Sequence, residues 1–232
     1  MSQKYNIQFL NWLAEWKNNL PSIILSKLLI YPDRTALVSI DMVNGFCHQG
    51  SLASENVKSI IPEVVTLMKK LNNSGVTRFL LFQDSHDVKA EEFKAYPPHC
   101  IKGSVESQTI PEYLNLPFTD KLKVFEKNSV SALQNTLFSD WLAKNKHVDT
   151  FIIIGNCTDI CIYQAVLELK TEANSLNAPR RIIVVENCVA TFETSLATAR
   201  KIGAMPHDSN LLHDIFLYAM KLNGAEVIKS IS

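Results

Sequence analysis

The sequence has little glycine, no net charge and no long apolar run. Only 7 of its 232 residues are glycine, about half the usual frequency, so each glycine is expected at a turn that needs it. Basic and acidic residues both number 23. The chain therefore has no excess of positive charge to attract nucleic acid and no excess of negative charge to attract a cationic partner. The longest apolar runs, such as residues 151–154, are too short to span a bilayer. We therefore expect neither nucleic acid nor a membrane as a partner.

The cysteines do not indicate a disulfide framework or a paired zinc-binding motif. There are 5 of them at irregular spacings, namely Cys47, Cys100, Cys157, Cys161 and Cys188. Residues 1–20 have neither the uninterrupted apolar centre nor the small-residue cleavage site of a secretion signal. We therefore expect free thiols in a reducing compartment, by default the cytoplasm.

Short apolar runs alternate with segments of helical length. We expect strands at 36–40, 79–82, 122–125, 151–154, 182–185 and 225–228, and helices at 57–73, 131–145, 159–175, 192–203 and 208–222. A polar loop separates the second strand from the third. This alternation predicts βαβ units and a parallel sheet.

The first 34 residues differ from the rest of the chain. Residues 6–31 have apolar side chains at helical spacing, interrupted at Pro21. We predict that residues 1–34 form a helical extension and that residues 35–232 form one domain. Since cationic residues do not line one face of the extension, we expect it to pack on the domain or on a partner subunit rather than on a membrane.

Several side chains that can do chemistry follow directly after expected strands. Asp41, Asp84, Lys127 and the turn of residues 155–161 all stand at such strand ends. Ligands of parallel sheets bind beyond the carboxyl ends of the strands, so these residues should share one rim.

A cysteine on this rim suggests nucleophilic catalysis. Cys161 falls in the first turn of an expected helix, where the helix N-terminus and a neighbouring lysine favour the thiolate, and amides of the same turn can hold an oxyanion. With Asp41 as base and Lys127 as cation, the group has the parts of a covalent catalyst. Taken singly, the three residues also fit a buried small side chain, a strand-end turn residue and a solvated lysine.

A second group has the composition of a metal site. Asp84 and His86 leave the second expected strand on the same side, and His99 and Glu92 lie in the loop that follows. A mixed set of carboxylate and imidazole ligands suits zinc, iron or manganese. A polar loop whose side chains only hydrogen-bond one another is the alternative, because Asp-x-His also occurs by chance.

The segments that contain these residues resemble the isochorismatase-like cysteine hydrolases, and among them most of all the nicotinamidases. Five segments occur in the family's order, at residues 39–52, 83–86, 97–104, 125–127 and 155–161. The resemblance implies a three-layer α/β/α sandwich around a mostly parallel, Rossmann-like sheet. It also implies that Asp41, Lys127 and Cys161 are a catalytic triad.

The same resemblance implies further roles around the triad. The peptide Asn156–Cys157 matches the family's cis bond, and the amides of Cys157 and Cys161 match its oxyanion hole. Asp84, His86 and His99 match the metal ligands of nicotinamidases, and Glu92 stands where some members have a fourth ligand. Phe46 and Tyr96 match aromatic positions of the ring pocket, although Tyr96 replaces the usual tryptophan and Gly45 replaces a usual aspartate.

The implied activity is hydrolysis of a small amide by a cysteine-dependent amidohydrolase. Nicotinamide is the first candidate substrate, cleaved to nicotinate and ammonia through a thioester, with a divalent metal, zinc before iron or manganese, as cofactor. We also expect a homo-oligomer. The alternatives are a metal-free carbamoyl or ureido amidase of the same superfamily, an isochorismate hydrolase, which Cys161 argues against, and a non-catalytic interaction protein.

Overall fold

A six-stranded parallel sheet forms the centre of the computed structural model, which describes the backbone of residues 2–232 and the side chains from residue 6 onward. The strands are β1 (Ser22–Ile23), β2 (Thr35–Ile40), β3 (Phe79–Asp84), β4 (Leu122–Lys127), β5 (Thr150–Asn156), β6 (Arg181–Ala190), β7 (Glu226–Ile228) and β8 (Ser230–Ile231). The sheet has the order β4-β3-β2-β5-β6-β7, and β1 pairs separately with β8. The order reverses between β2 and β5, the crevice where such sheets bind ligands.

Helices cover both faces of this sheet. They are α1 (Ser2–Asn18), α2 (Leu25–Leu28), α3 (Asn44–Cys47), α4 (Glu55–Ser59), α5 (Ile61–Asn73), α6 (Pro111–Leu114), α7 (Phe138–Lys144), α8 (Tyr163–Ser175), α9 (Leu196–Ile202) and α10 (Ser209–Leu222). Successive side chains of β2 point to opposite faces, so Leu37 packs in one core with Leu67 of α5. Val38 packs in a second core with Leu169 of α8 and Leu217 of α10. The three-layer α/β/α fold is therefore confirmed.

Two of the expected helices are divided or begin later in the structure than the sequence predicts. The helix at 57–73 is divided into α4 and α5, because Pro62 begins a new helix at its first turn. The helix at 131–145 begins only at Phe138. The carboxylate of Glu168 accepts the amides of Ala132 and Leu133, both at 3.1 Å, and holds that backbone in a non-helical turn.

The N-terminal segment packs on the domain rather than standing apart from it. After Pro21 the helix resumes only over the single turn of α2, Leu25–Leu28, because Ser22–Ile23 pair with Ser230–Ile231 at the C-terminal end. Helix α1 lies against α10, where Lys17 Nζ is 2.6 Å from Asp214 Oδ1. Among the described residues, no helix has the length and apolarity needed to cross a membrane.

Gly155 lets β5 approach β2 more closely than any other residue would. It has a φ of +113°, and a Cβ at this position would lie 2.0 Å from the carbonyl oxygen of Ile40. Gly203 has a φ of +71° but open space around the same position. An alanine at Gly203 would meet only the cost of a positive φ, whereas an alanine at Gly155 would also clash with Ile40.

We predict that Gly155→Ala destabilises the protein by more than about 3 kcal/mol, because a backbone clash adds to the conformational cost. Gly203→Ala, the matched control, should cost about 1–2 kcal/mol. Urea unfolding of both variants measures the difference. Equal stability losses in the two variants would contradict a role for close packing at Gly155.

Candidate active site

The structure brings the strand-end residues of β2 to β5 to one rim. Asp41 follows β2, Asp84 ends β3, Lys127 ends β4 and Asn156 ends β5. Parallel register sets these ends side by side, because Asp84 pairs with Lys127 across β3 and β4. Asp41 has a φ of +53°, and its carbonyl accepts a 2.6 Å hydrogen bond from the side-chain amide of Asn156.

Lys127 is fully buried and contacts every charged member of the group. Its Nζ donates to Asp84 Oδ1 at 2.5 Å, to Cys161 Sγ at 3.7 Å and to the carbonyl of Ser129 at 3.2 Å. Asp41 Oδ2 lies 2.8 Å from the same nitrogen. The ammonium charge therefore stabilises the Asp41 carboxylate beside Cys161.

Burial changes the pKa of both Asp41 and Cys161. Burial and the neighbouring Asp84 raise the pKa of Asp41 to about 6, although Lys127 opposes the shift. Burial also raises the pKa of the Cys161 thiol well above its ordinary value, against the effect of Lys127. Lys127 therefore lowers the pKa of this thiol, as the sequence predicts, but burial has the larger effect because desolvation penalises the charged form. The pair at the site is the Cys161 thiol and the nearby Asp41 carboxylate.

The turn between β5 and α8 carries Cys161, the expected nucleophile. The peptide Asn156–Cys157 is cis, as the resemblance implies. Residues Thr158–Ile162 form one π-helical turn that leads into α8, and the carbonyl of Cys157 accepts the amides of Ile160 and Ile162. Cys157 and Cys161 consequently face the same pocket.

This pocket is mostly apolar, and the empty space in and in front of it is about 350 Å³, part of which is open to solvent. It is lined by Phe46, Leu52, Asp84, Glu92, Tyr96, His99, Val130, Cys157, Ile160, Cys161 and Phe192. The expected aromatic residues Phe46 and Tyr96 are both present. Phe192 was missed, because β6 continues to Ala190 and residue 192 lies in the loop beyond it rather than in the expected helix. The aromatic walls suit a flat ring whose reacting group points at Cys161.

Asp84, His86 and His99 offer ligand atoms that all lie within 4.8 Å of one another. Asp84 Oδ2 is 3.4 Å from His86 Nε2 and 3.5 Å from His99 Nε2. The Nδ1 atom of His99 donates to the carbonyl of Pro97 at 2.9 Å, which directs Nε2 toward the group. Neither ring nitrogen of buried His86 has a hydrogen-bond partner in the described structure. An unsatisfied buried imidazole fits a metal ligand, because it would otherwise carry a desolvation cost.

Glu92 is not part of this group of ligand atoms. Its carboxylate lines the pocket and accepts the amide of Val130 at 3.1 Å. The structure therefore brings together three of the four expected protein ligands, and a direct bond from Glu92 to a metal stays a prediction.

Comparison with known proteins identifies the family. The model of the isochorismatase domain matches residues 35–230. The chain belongs to the isochorismatase family. Among curated relatives, Nicotinamidase 1 of Arabidopsis thaliana is 33% identical over 211 residues, which cover 84% of this chain and 86% of the relative.

Solved structures of the family have the same fold. N-carbamoylsarcosine amidase from Thermoplasma acidophilum is 28% identical with a TM-score of 0.63, and the match covers 84% of this chain and 95% of the amidase. The pyrazinamidase of Pyrococcus horikoshii, solved in complex with zinc, is 17% identical with a TM-score of 0.65 and coverages of 84% and 99%. The family match and the 33% identity to Nicotinamidase 1 identify the chain as an amide-cleaving hydrolase, the enzyme class that the sequence predicts.

Removing the ammonium group of Lys127 should destabilise the fold. Lys127→Met leaves Asp41 and Asp84 buried without their cation, and breaking a buried ion pair costs about 3–5 kcal/mol. Urea unfolding of chelator-treated protein measures this loss. Adding Asp41→Asn to the same variant removes one unpaired charge, so the double variant should recover part of the stability. A Lys127→Met variant as stable as the parent would contradict this account.

We predict that iodoacetamide labels Cys161 before the other four cysteines. Burial raises the pKa of all five cysteine thiols, so the pKa alone does not single out the most reactive one. Cys161 is the thiol beside both the Lys127 ammonium and a carboxylate that can take its proton. Peptide mass spectrometry after partial labelling identifies the first site modified, and preferential labelling of any other cysteine contradicts the prediction.

Proposed function

We propose that this protein hydrolyses nicotinamide to nicotinate and ammonia through a thioester on Cys161. One observation supports this most directly: Asp84 joins the nucleophile and the ligand group. Its Oδ1 accepts from Lys127, which also contacts Cys161, while its Oδ2 faces His86 and His99. A substrate anchored at the histidines would therefore present a neighbouring group to the thiol. The Arabidopsis nicotinamidase relative supports the choice of substrate.

In the first half of the reaction, Cys161 attacks the amide carbon. Asp41 Oδ2 takes the thiol proton, and the pKa of about 6 makes this carboxylate a stronger base than an ordinary aspartate. Lys127 stabilises the charges of the pair while they exchange the proton. The amides of Cys157 and Cys161 are proposed to donate to the developing oxyanion. Asp41 then returns the proton to the leaving nitrogen, and ammonia departs.

In the second half, water cleaves the thioester. Asp41, again a carboxylate, accepts a proton from the attacking water, whose oxygen bonds to the thioester carbon. The C–S bond then breaks, Asp41 returns the proton to the sulfur, and the acid leaves with the Cys161 thiol restored. Asp41 thus acts first as base and then as acid in each half of the reaction. Its position beside Lys127 Nζ, at 2.8 Å, keeps it charged between these transfers.

Asp84, His86 and His99 would hold a divalent metal, with Glu92 at the pocket wall nearby. A bound metal supplies a Lewis-acid centre that can hold a pyridine nitrogen or water. Zinc is the first candidate, because the set combines imidazole and carboxylate and the pyrazinamidase relative was solved with zinc. Phe46 and Tyr96 would flank the ring of the substrate, and Phe192 adds a third aromatic wall.

A carbamoyl amidase is the second candidate function. The match to N-carbamoylsarcosine amidase, at 28% identity, favours it. The unsatisfied imidazole of His86 and the close group it forms with Asp84 and His99 favour the nicotinamidase instead. The two candidates differ in whether activity needs a metal.

The direct test is ammonia release from nicotinamide and from N-carbamoylsarcosine, before and after chelation. We expect hydrolysis of nicotinamide only, loss of it with chelator, recovery with zinc, and about one metal per chain by elemental analysis. His86→Ala and His99→Ala should lower both metal content and activity, while the exposed His147→Ala should lower neither. Protein that binds no added zinc, iron or manganese and cleaves N-carbamoylsarcosine would establish the second candidate instead.

A further inference from the structure

Two histidines from the C-terminal part of the chain hold the turn that carries the nucleophile. Thr158 Oγ1 lies 2.9 Å from Nδ1 of His213, which belongs to α10. The next residue, Asp159, accepts a 2.8 Å hydrogen bond from Nε2 of His207, in the loop before α10. Both contacts fall between Cys157 and Cys161, the residues proposed to bind the oxyanion and to attack. The sequence motifs and the proposed mechanism give these histidines no role.

His207 links the turn to a wall of the pocket. Its Nδ1 lies 2.9 Å from the carbonyl oxygen of Phe192, and its ring stacks on the Phe192 ring with centroids 3.8 Å apart. The hydroxyl of Thr191 donates to the other oxygen of Asp159 at 2.5 Å. The carboxylate of Asp159 is therefore held from both sides, and the same histidine fixes the position of Phe192.

His213 links the turn to strand β6. Its Nε2 lies 3.8 Å from Glu186 of β6, and Glu186 also contacts Lys229 at 3.1 Å. Thr158, on the other side of His213, is fully buried. Helix α10 in turn is contacted by α1 through Lys17 and Asp214. The hydroxyl of Thr158 is thus tied to a charged network that spans β6, α10 and the N-terminal helix.

We propose that His207 and His213 are positioning residues for the catalytic turn, and that His207 also sets the aromatic wall at Phe192. The proposal rests on the proposed function, in which Cys157 and Cys161 act within one turn. Neither histidine lines the pocket, so each acts through another residue: His213 through Thr158, and His207 through Asp159 and Phe192. Small displacements of such a turn matter, because a misplacement of about 1 Å can cost about a hundredfold in rate.

The contact between Thr158 and His213 is tested by a double-mutant cycle. Thr158→Val and His213→Ala each remove the same hydrogen bond and should each lower kcat about tenfold or more, with KM close to the parent value. The double variant should be no slower than the slower single variant, because the two changes remove one interaction. Additive losses would overturn the assignment for His213, since they show that the two residues act separately.

His207 is tested by separating its hydrogen bond from its ring. His207→Phe keeps a ring against Phe192 but cannot donate to Asp159, so kcat should fall while KM changes little. His207→Ala removes both contacts, so KM should rise as well, about tenfold if the wall at Phe192 moves. Equal KM values in the two variants would overturn the role of His207 in fixing Phe192. A parental kcat in both would overturn its role in the turn.

The rate of Cys161 alkylation gives a readout that needs no substrate. We expect iodoacetamide to modify Cys161 more slowly in Thr158→Val, His213→Ala and His207→Phe, because the thiol is no longer held beside Asp41 and Lys127. His147→Ala, on an exposed loop, is the control and should react as the parent does. A parental or faster rate in the three variants overturns the proposal. If the parent does not hydrolyse nicotinamide but these rates fall as expected, the proposed substrate fails and the positioning roles stand.

Discussion

The ion cluster around Lys127 is the constraint on which the site depends. A buried ammonium group is stable only when opposite charges and hydrogen bonds replace its water. Asp41 lowers the free energy of the charged lysine from one side and Asp84 from the other, at 2.8 and 2.5 Å. These three residues end or follow β2, β3 and β4, so the parallel order of the strands is what brings them together.

Asp84 contacts both Lys127, beside Cys161, and the two histidines of the candidate metal site. One carboxylate oxygen accepts a hydrogen bond from Lys127, which contacts Cys161, and the other faces the two imidazoles. Under the proposed function, a metal at His86 and His99 would change the charge of Asp84 that Lys127 faces, and with it the proton transfer between Asp41 and Cys161. In this account, substrate anchoring and nucleophile activation are linked through a single side chain rather than through a movement of the backbone.

The sequence predicts the sheet, its parallel strands and the rim residues well, because short apolar runs and the polar residues after them are local signals. The sequence does not predict that β6 continues to Ala190. The strand runs through the polar residues Glu186 and Asn187, and its last residues are held by pairing with β5. The sequence therefore predicts Phe192 in a helix, whereas it lies in the loop after β6. The helix expected from residue 131 begins only at Phe138 for a similar reason. Glu168, distant in sequence, accepts the amides of Ala132 and Leu133 and holds them in a turn. The protonation of Cys161 depends on burial, and burial of one residue within a folded core has no local sequence signal.

The measurement that tests the central claim most directly is detection of the acyl-enzyme during turnover. Protein mixed with nicotinamide is quenched in acid within the first turnover, digested and analysed by mass spectrometry. The account predicts a nicotinoyl group on the peptide that contains Cys161, and no turnover in a Cys161→Ala variant that remains folded. Undiminished ammonia release by the folded Cys161→Ala variant would contradict it, because no thioester can form there.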